Sequence, residues 1–330
     1  MNDTFKAFIV DKTEALFTKG IQEITLDKLP EGDVIIRVKY SSINFKDGLA
    51  SIPNGRIVRS YPFIPGIDLS GIVVSSESEK FKVGDSVLVT SYDLGMTHFG
   101  GFSEYARVPA EWVVPLPRGL TLKESMIFGT AGFTAALSIQ RLLESGLTQK
   151  DGPVLVTGAT GGVGSIAVAI LAKLNFHVVA STGKESEHDF LRMLGASEII
   201  SREDVTPNEV RPLDKERWAG AIDPVGGNTL ASILSHLKYG RSVAVSGLTG
   251  GNQVNTTVFP FILRGVNILG IDSVLCPMDT RVKIWEKIAS DWKPESLLEI
   301  VQEVSLEGLE GELDKILKGK LRGRTVVNLN

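Results

Sequence analysis

Hydrophobic and polar positions follow two different rhythms along this chain. From Thr4 to about Leu120, short runs rich in β-branched residues at 33–40, 70–74 and 86–90 are separated by turn residues, a pattern that predicts strands. Glycine and proline punctuate them at Pro30-Glu31-Gly32, Pro65-Gly66, Val83-Gly84-Asp85, Gly100-Gly101 and Pro115-Leu116-Pro117, residue types that favour turns and strand ends. The expectation is a compact β-rich domain whose boundary follows Pro117, near residue 120.

Beyond that point helical stretches alternate with β-branched runs at 154–157, 177–180, 198–200, 219–223, 242–245 and 267–271. Such alternation is the signature of βαβ units around a parallel sheet, and six strands is the number a doubly wound dinucleotide-binding sheet requires. From about Pro277 the chain reads as helical and ends in a strand over 323–329 that is expected to return to the first domain. The predicted division is therefore 1–120 with 277–330, and 121–276. The fold class is α/β, with no internal repeat or low-complexity linker.

Composition narrows the functional classes. Of 330 residues 43% are hydrophobic and 22% charged, with a formal net charge of -4. Acidic and basic residues are interspersed, so the sequence offers no broad positive face for nucleic acid. A small-molecule substrate is expected instead. No apolar run approaches the ~20 residues needed to span a bilayer, so no membrane partner is expected. The opening Met1-Asn2-Asp3-Thr4-Phe5-Lys6 lacks the basic-then-apolar pattern of a signal peptide, and Cys276 is the sole cysteine. A reducing cytoplasm is the expected location.

The most informative segment is 154–167, VLVTGATGGVGSIA. It reads as a buried strand, a tight turn and an apolar helix, and it contains A-x-G-x-x-G with Ala159 in place of the usual first glycine. Gly161 would let a pyrophosphate approach the backbone, and Gly164 would let the helix sit tightly on the strand. The helix N-terminus would supply N–H donors. The strand before, the helix after and the surrounding alternation favour a dinucleotide site lined by Thr160, Gly161, Gly162 and Val163 over a merely tight turn. The next strand ends in Ser181-Thr182-Gly183-Lys184, without the acid that would bind an NADH ribose 2′-hydroxyl. Ser181 and Thr182 can donate hydroxyls, Lys184 a charge, and Arg202 can close the same pocket. Singly, Lys184 and Arg202 read as solvated charges. Together with the missing acid they point to NADPH.

A β-rich first domain, a Rossmann domain and a C-terminal return resemble the medium-chain dehydrogenase/reductase superfamily. The motifs that carry the resemblance are Tyr40-Ser41-Ser42-Ile43-Asn44-Phe45-Lys46-Asp47, the segments 65–71 and 83–87, and Gly129-Thr130-Ala131-Gly132-Phe133-Thr134-Ala135. The resemblance implies a GroES-like catalytic domain joined to a doubly wound Rossmann domain. Zinc-dependent members carry a cysteine at the position of Asn44, a histidine within 66–68 and a four-cysteine lobe. With one cysteine, and histidines only at 98, 177, 188 and 236, no metal site is expected.

Within the zinc-free branch, the segments 42–47, 64–68 and 257–273 resemble the acrylyl-CoA reductase group, whose members are often labelled quinone oxidoreductases. That resemblance implies that Asn44, Phe45, Thr130, Thr134, Leu248, Ile262 and Ser273 join the glycine turn in lining the cofactor site. It also implies a homodimer, for which the apolar strand at 266–271 offers an edge to be covered.

The implied chemistry delivers a hydride to the β-carbon of an activated alkene and leaves an enolate to be stabilised. Without a Lewis acid, hydrogen-bond donors must do this. Asn44 is the first candidate, toward substrate oxygen or the nicotinamide ribose, and a turn residue satisfying local backbone is the other reading. Asp68 could orient that neighbourhood or simply cap a turn. Water or the ribose hydroxyl can supply the proton. Arg56 and Arg59 suit the phosphates of a CoA carrier, or are solvated loop charges. An NADPH:quinone oxidoreductase is the enzymatic alternative, and a non-catalytic NADPH-binding sensor the alternative of another class.

Overall fold

A computed structural model describes residues 4–206, 209 and 211–330. Met1, Asn2 and Asp3, on which the reading of the N-terminus partly rests, lie outside the described residues. The chain forms two compact units. The first comprises Met1–Thr130, Val274–Ala289 and Ile300–Asn330, and the second Ala131–Ser273 and Ser290–Glu299.

In the first unit, β1 (Thr4–Lys12) and β2 (Phe17–Thr25) make an antiparallel ribbon. β3 (Val34–Ser42) pairs with β4 (Asp68–Ser76) and β6 (Tyr105–Val108), and β4 continues through β5 (Ser86–Thr90) to β7 (Val114–Pro115). β3 starts with the alternation of a half-buried strand, with Val34, Ile36 and Val38 inside and Arg37 outside. The alternation fails at its end, where Ser41 and Ser42 are both buried. A register shift between Val38 and Tyr40 precedes them, and such irregularities re-aim side chains. Both hydroxyls turn to Asp68: Ser41 Oγ donates to its carbonyl at 2.6 Å and Ser42 Oγ to its carboxylate at 2.7 Å.

The second unit holds β8 (Val154–Val156), β9 (Val178–Thr182), β10 (Glu198–Ser201), β11 (Gly220–Asp223), β12 (Ser242–Val245) and β13 (Asn267–Gly270), all parallel, in the order β10-β9-β8-β11-β12-β13. Counted within the unit, this is the 3-2-1-4-5-6 order of the dinucleotide-binding fold. β8, β9 and β11 are buried throughout, as strands covered by helices on both faces must be. The expected architecture, a GroES-like domain with a doubly wound Rossmann domain, is the one observed.

β14 (Val301–Ser305) and β15 (Arg324–Asn328) complete the first unit's sheet, β15 lying antiparallel to β3. The parallel strand β14 escaped the sequence reading because its sequence, VQEVS, is half polar. The observed units also divide elsewhere than at residues 120 and 276. The helix Leu122–Glu144 runs past the expected boundary and breaks its helical geometry at Gly129 (φ 51°, ψ -158°), one residue before the first unit ends. Residues 290–299 group with the second unit, where Lys173 Nζ meets Glu295 at 3.0 Å.

The same helix corrects a second expectation. Its 23 residues are long and apolar enough to cross a membrane by length and composition, although most of them are buried within the protein. Scattered charges near its ends hide it from a search for uninterrupted apolar runs.

Candidate functional site

In the second unit β8 opens into the glycine turn. Gly158, directly after Thr157, takes φ +54°, a left-handed conformation that glycine adopts without steric penalty. A methyl group on Gly164 would lie 2.3 Å from Gly158 O, so the helix Gly162–Lys173 packs onto the turn as closely as backbone allows. Over Gly161 only Gly158 O comes within 4 Å of such a methyl group, leaving room for a ligand above the backbone. Gly161 caps the helix without a side-chain hydrogen bond. The N–H groups of the first turn, around Gly162 and Val163, have no intrahelical acceptor by helix geometry, and they carry the positive end of the dipole.

Beside this turn lies a cavity of about 420 Å³. Its walls come from Thr157, Gly158 and Thr160 of the turn, from Ser181, Thr182 and Gly183 at the end of β9, and from Arg202 after β10. Thr206, Asn228, Thr229 and Thr249 also line it. None of the described residues that line it is acidic. Arg202 packs so closely on Gly183 that a methyl group there would stand 3.1 Å from its Cζ. Lys184 does not line the cavity; it is half-buried, and its N–H donates to Thr182 Oγ1 at 3.1 Å. Of the two cations expected at this pocket, Arg202 is therefore the one in its wall.

Asp223, at the end of β11, is a residue that sequence reasoning missed. It is fully buried and accepts hydrogen bonds from Thr157 Oγ1 at 2.5 Å and from the N–H groups of Val225 and Gly226 at 3.0 Å each. Burial pushes its carboxyl above the usual range, and the three donors oppose that shift. Asp223 thus ties the glycine-turn strand to the loop that carries Val225 on the cavity wall. Strand-end aspartates are common, and the sequence alone gave no pointer to Thr157 as its partner.

The first unit contains the second constellation. Asp68, with no exposed surface, accepts from Thr130 N at 3.0 and 2.9 Å, Thr130 Oγ1 at 2.5 Å, Asn44 Nδ2 at 2.7 Å and Ser42 Oγ at 2.7 Å. Arg324 Nη2 lies 3.8 Å from its Oδ2. Arg324, buried on β15, spends its fork on Ile127 O, Ile43 O, Asn44 Oδ1 and Ser42 Oγ at 3.0, 3.0, 3.2 and 2.8 Å. Burial draws the arginine's pKa down, against the attraction of Asp68 and Asp47.

Thr130 Oγ1 also lies 2.9 Å from Ser91 Oγ. Because a carboxylate only accepts, Thr130 must donate to Asp68 and accept from Ser91. Ser91 and Tyr92 are consecutive non-glycine residues with positive φ, 65° and 52°, strain that surrounding structure must hold in place. Asp47, in the helix Phe45–Ala50, accepts from Asn44 N at 2.7 Å and Ile67 N at 3.0 Å. Burial first, and the neighbouring Asp68 second, push it up to about 7.

Asn44 and Asp68 are thus in direct contact, closer than the sequence reading, which had Asp68 orient that neighbourhood or cap a turn, specified. Thr130, expected along the cofactor site, joins them, and Ser42, Ser91 and Arg324 are additions. No sequence spacing links Arg324 to Asn44, 280 positions earlier. Phe45 is exposed. In the second unit Thr134 Oγ1 donates to Ser273 Oγ at 2.8 Å, both buried, whereas Leu248 and Ile262 are exposed apolar side chains. Arg56 and Arg59 are exposed in the first unit, Arg56 with φ +59°. Among the described residues no group of three or more His, Cys, Asp or Glu could hold a metal ion. His98 bonds Arg107 O through Nε2 at 2.7 Å and meets Trp112 edge-on.

Residues 30–118 match the family model described as the alcohol dehydrogenase GroES-like domain, and residues 162–290 the one described as zinc-binding dehydrogenase. Over the whole of both chains the sequence is 55% identical to a Bacillus subtilis (strain 168) protein provisionally named quinone oxidoreductase YhfP. The chain belongs to the medium-chain dehydrogenase/reductase superfamily. Within that family it is also 47% identical to the acrylyl-CoA reductase AcuI of Ruegeria pomeroyi, over 99% of each chain. Its fold superposes on the B. subtilis yhfP crystal structure with NAD bound at a TM-score of 0.97, covering 99% of each chain. For the Salmonella enterica yhdH oxidoreductase in complex with NADP the TM-score is 0.96 at 44% identity, covering 98% of this chain and 100% of that one. Family membership makes the chain an oxidoreductase.

Proposed function

We propose that this chain reduces the activated double bond of a short enoyl thioester such as acryloyl-CoA, with NADPH as cofactor and without zinc. The observation that carries the reading is the saturation of Asp68. In the segment where the resemblance places a metal-ligating histidine, Asp68 already accepts hydrogen bonds from Ser42, Asn44 and Thr130. Asn44, at the position of a ligating cysteine, has its oxygen on Arg324. These side chains satisfy one another instead of offering lone pairs to a cation.

NADPH, when bound, supplies the hydride. The glycine turn offers backbone N–H groups to its pyrophosphate, and Arg202 with Ser181 and Thr182 offers a cation and hydroxyls to its 2′-phosphate. The yhfP structure with NAD bound pulls toward NADH, but the non-acidic wall around Gly183 favours the phosphorylated cofactor. Asn44 is the donor proposed for the developing enolate oxygen: its Nδ2 donates to Asp68 at 2.7 Å, and its further contact, to Ser42 O, is long at 3.4 Å, with the Asp47 carboxyl also within its reach. A substrate oxygen therefore competes with a weak bond. Asp68 orients this group through that hydrogen bond.

The similarity to an acrylyl-CoA reductase over the full chain supports the thioester, and the exposed Arg56 and Arg59 provide cations for the carrier's phosphates. The similarity to YhfP favours a quinone as the second reading. Steady-state kinetics with acryloyl-CoA and small quinones, before and after exhaustive chelation, test both. The expected result is a higher kcat/KM for acryloyl-CoA, unchanged by chelation. In Arg56→Ala/Arg59→Ala, KM should rise for the CoA ester and hold for a carrier-free acceptor. Much faster turnover of quinones would replace the thioester reading, and loss of activity restored by zinc would overturn the metal-free one.

A further inference from the structure

We infer that Arg324 is a positioning residue for the reduction, acting by fixing which way the Asn44 amide faces. The inference rests on the proposed role of Asn44 as a donor to substrate oxygen. An amide can flip by half a turn, exchanging an acceptor for a donor of almost the same shape. Here the two ends meet opposite charges. Asn44 Oδ1 accepts from the Arg324 guanidinium at 3.2 Å, and Nδ2 donates to the Asp68 carboxylate at 2.7 Å. A flip would set NH₂ against a cation and oxygen against an anion, in a site where Asn44, Asp68 and Arg324 are 8%, 0% and 3% exposed. At such burial the low local dielectric leaves neither clash softened.

The charge pair also selects which amide hydrogen is left for chemistry. Asp68 takes the short bond at 2.7 Å, and what remains of the amide's donor capacity meets Ser42 O at a long 3.4 Å and the Asp47 carboxyl. Arg324 is itself fixed on three further sides, by Ile43 O, Ile127 O and Ser42 Oγ. These bonds set the guanidinium plane before any substrate arrives, which is what a positioning group requires. Arg324 need not touch substrate or cofactor to do this.

Those backbone contacts also stitch the first unit together, so a loss of activity alone would not separate positioning from structure. The separating experiment is a double-mutant cycle on the full chain, using whichever acceptor the wild type reduces fastest. Asn44→Ala should lower kcat by roughly a hundredfold, the scale of losing one transition-state donor. Arg324→Lys keeps the charge but not the fork and should lower kcat about tenfold, with the cofactor KM nearly unchanged. In the Asn44→Ala background it should cost less than about twofold more. Should Arg324→Lys not fold, Asp68→Asn reports on the other end of the amide by the same non-additivity.

Equal losses from Arg324→Lys, or from Asp68→Asn, in both backgrounds would overturn the inference and leave the Asn44 reading standing. An undiminished kcat in Asn44→Ala would overturn the Asn44 reading, and the inference with it.

Discussion

The α-carbon of Gly129 faces the Asp68 carboxylate so closely that a methyl group there would stand 2.5 Å from Oδ2. The same methyl group would lie 2.5 Å from Ser42 Oγ and 2.8 Å from Arg324 Nη2. Glycine is thus required twice at this position, once by its backbone angles and once by the network it adjoins. Gly129→Ala should destabilise the protein by about 3 kcal/mol or more, combining a left-handed backbone penalty with displacement of a buried ion pair. Its denaturation midpoint in urea should fall, and kcat should fall with it. A variant of wild-type stability would show that the network can move aside.

Asp47 gives stability a defined pH dependence. Its native carboxyl sits at about 7 against an ordinary value of 3.8. Between those values the native state holds a proton that the unfolded chain has lost, so this residue's contribution is fully present below 3.8 and is lost as pH rises through 7. Asp47→Asn removes the titration. It also leaves one of the N–H groups of Asn44 and Ile67 without its carboxylate acceptor, a cost of about 1–3 kcal/mol that does not vary with pH. Urea denaturation between pH 4.5 and 7.5 should show wild type losing stability relative to the variant as pH rises, by up to about 1.4 kcal/mol per unit. Parallel curves would place the native Asp47 pKa near its ordinary value.

The two halves of the candidate site differ in how far the sequence announced them. The glycine turn, β8 and the helix after it are local in sequence, and backbone geometry restricts the residues allowed there, so Gly161 and Gly164 were legible. Gly158, whose left-handed conformation starts the turn, was hidden because the fingerprint begins one residue later. The Asp68 network is assembled from β3, β4, the helix broken at Gly129, and β15. Its members are brought together by tertiary contacts between elements far apart in sequence, and a single arginine near a C-terminus looks like any surface charge. Lys184 and Arg202 read alike in sequence; only packing against Gly183 distinguishes the one in the cavity wall.

That distinction sets the cofactor prediction. Arg202→Ala should raise the NADPH KM by roughly tenfold or more, the scale of one charge-assisted hydrogen bond, while shifting the NADH KM less than about twofold. Lys184→Ala should have the smaller effect on NADPH. Equal changes for both cofactors in Arg202→Ala would remove Arg202 from the 2′-phosphate site.

The last prediction concerns assembly, and we propose a homodimer that covers β13. Among the described residues this strand ends the second unit's sheet and pairs on one side only, with β12. Its sequence, NILG, has no charge to discourage further pairing, and Ile268 is 44% exposed. The opposite edge strand, β10, opens with the exposed Glu198 and closes with Ser201, its residues after Glu198 half-buried. An uncharged apolar edge invites another strand, whereas edge charges repel one. Exposed Ile262 and Leu263, in the helix leading to β13, extend the apolar surface beside it. A second copy related by a two-fold axis would cover both patches with identical ones. Sedimentation at micromolar concentration should therefore give a dimer, and Ile268→Lys should shift it toward monomer without altering the fold by circular dichroism. A wild-type monomer, or a dimer indifferent to Ile268→Lys, would rule out association through this edge.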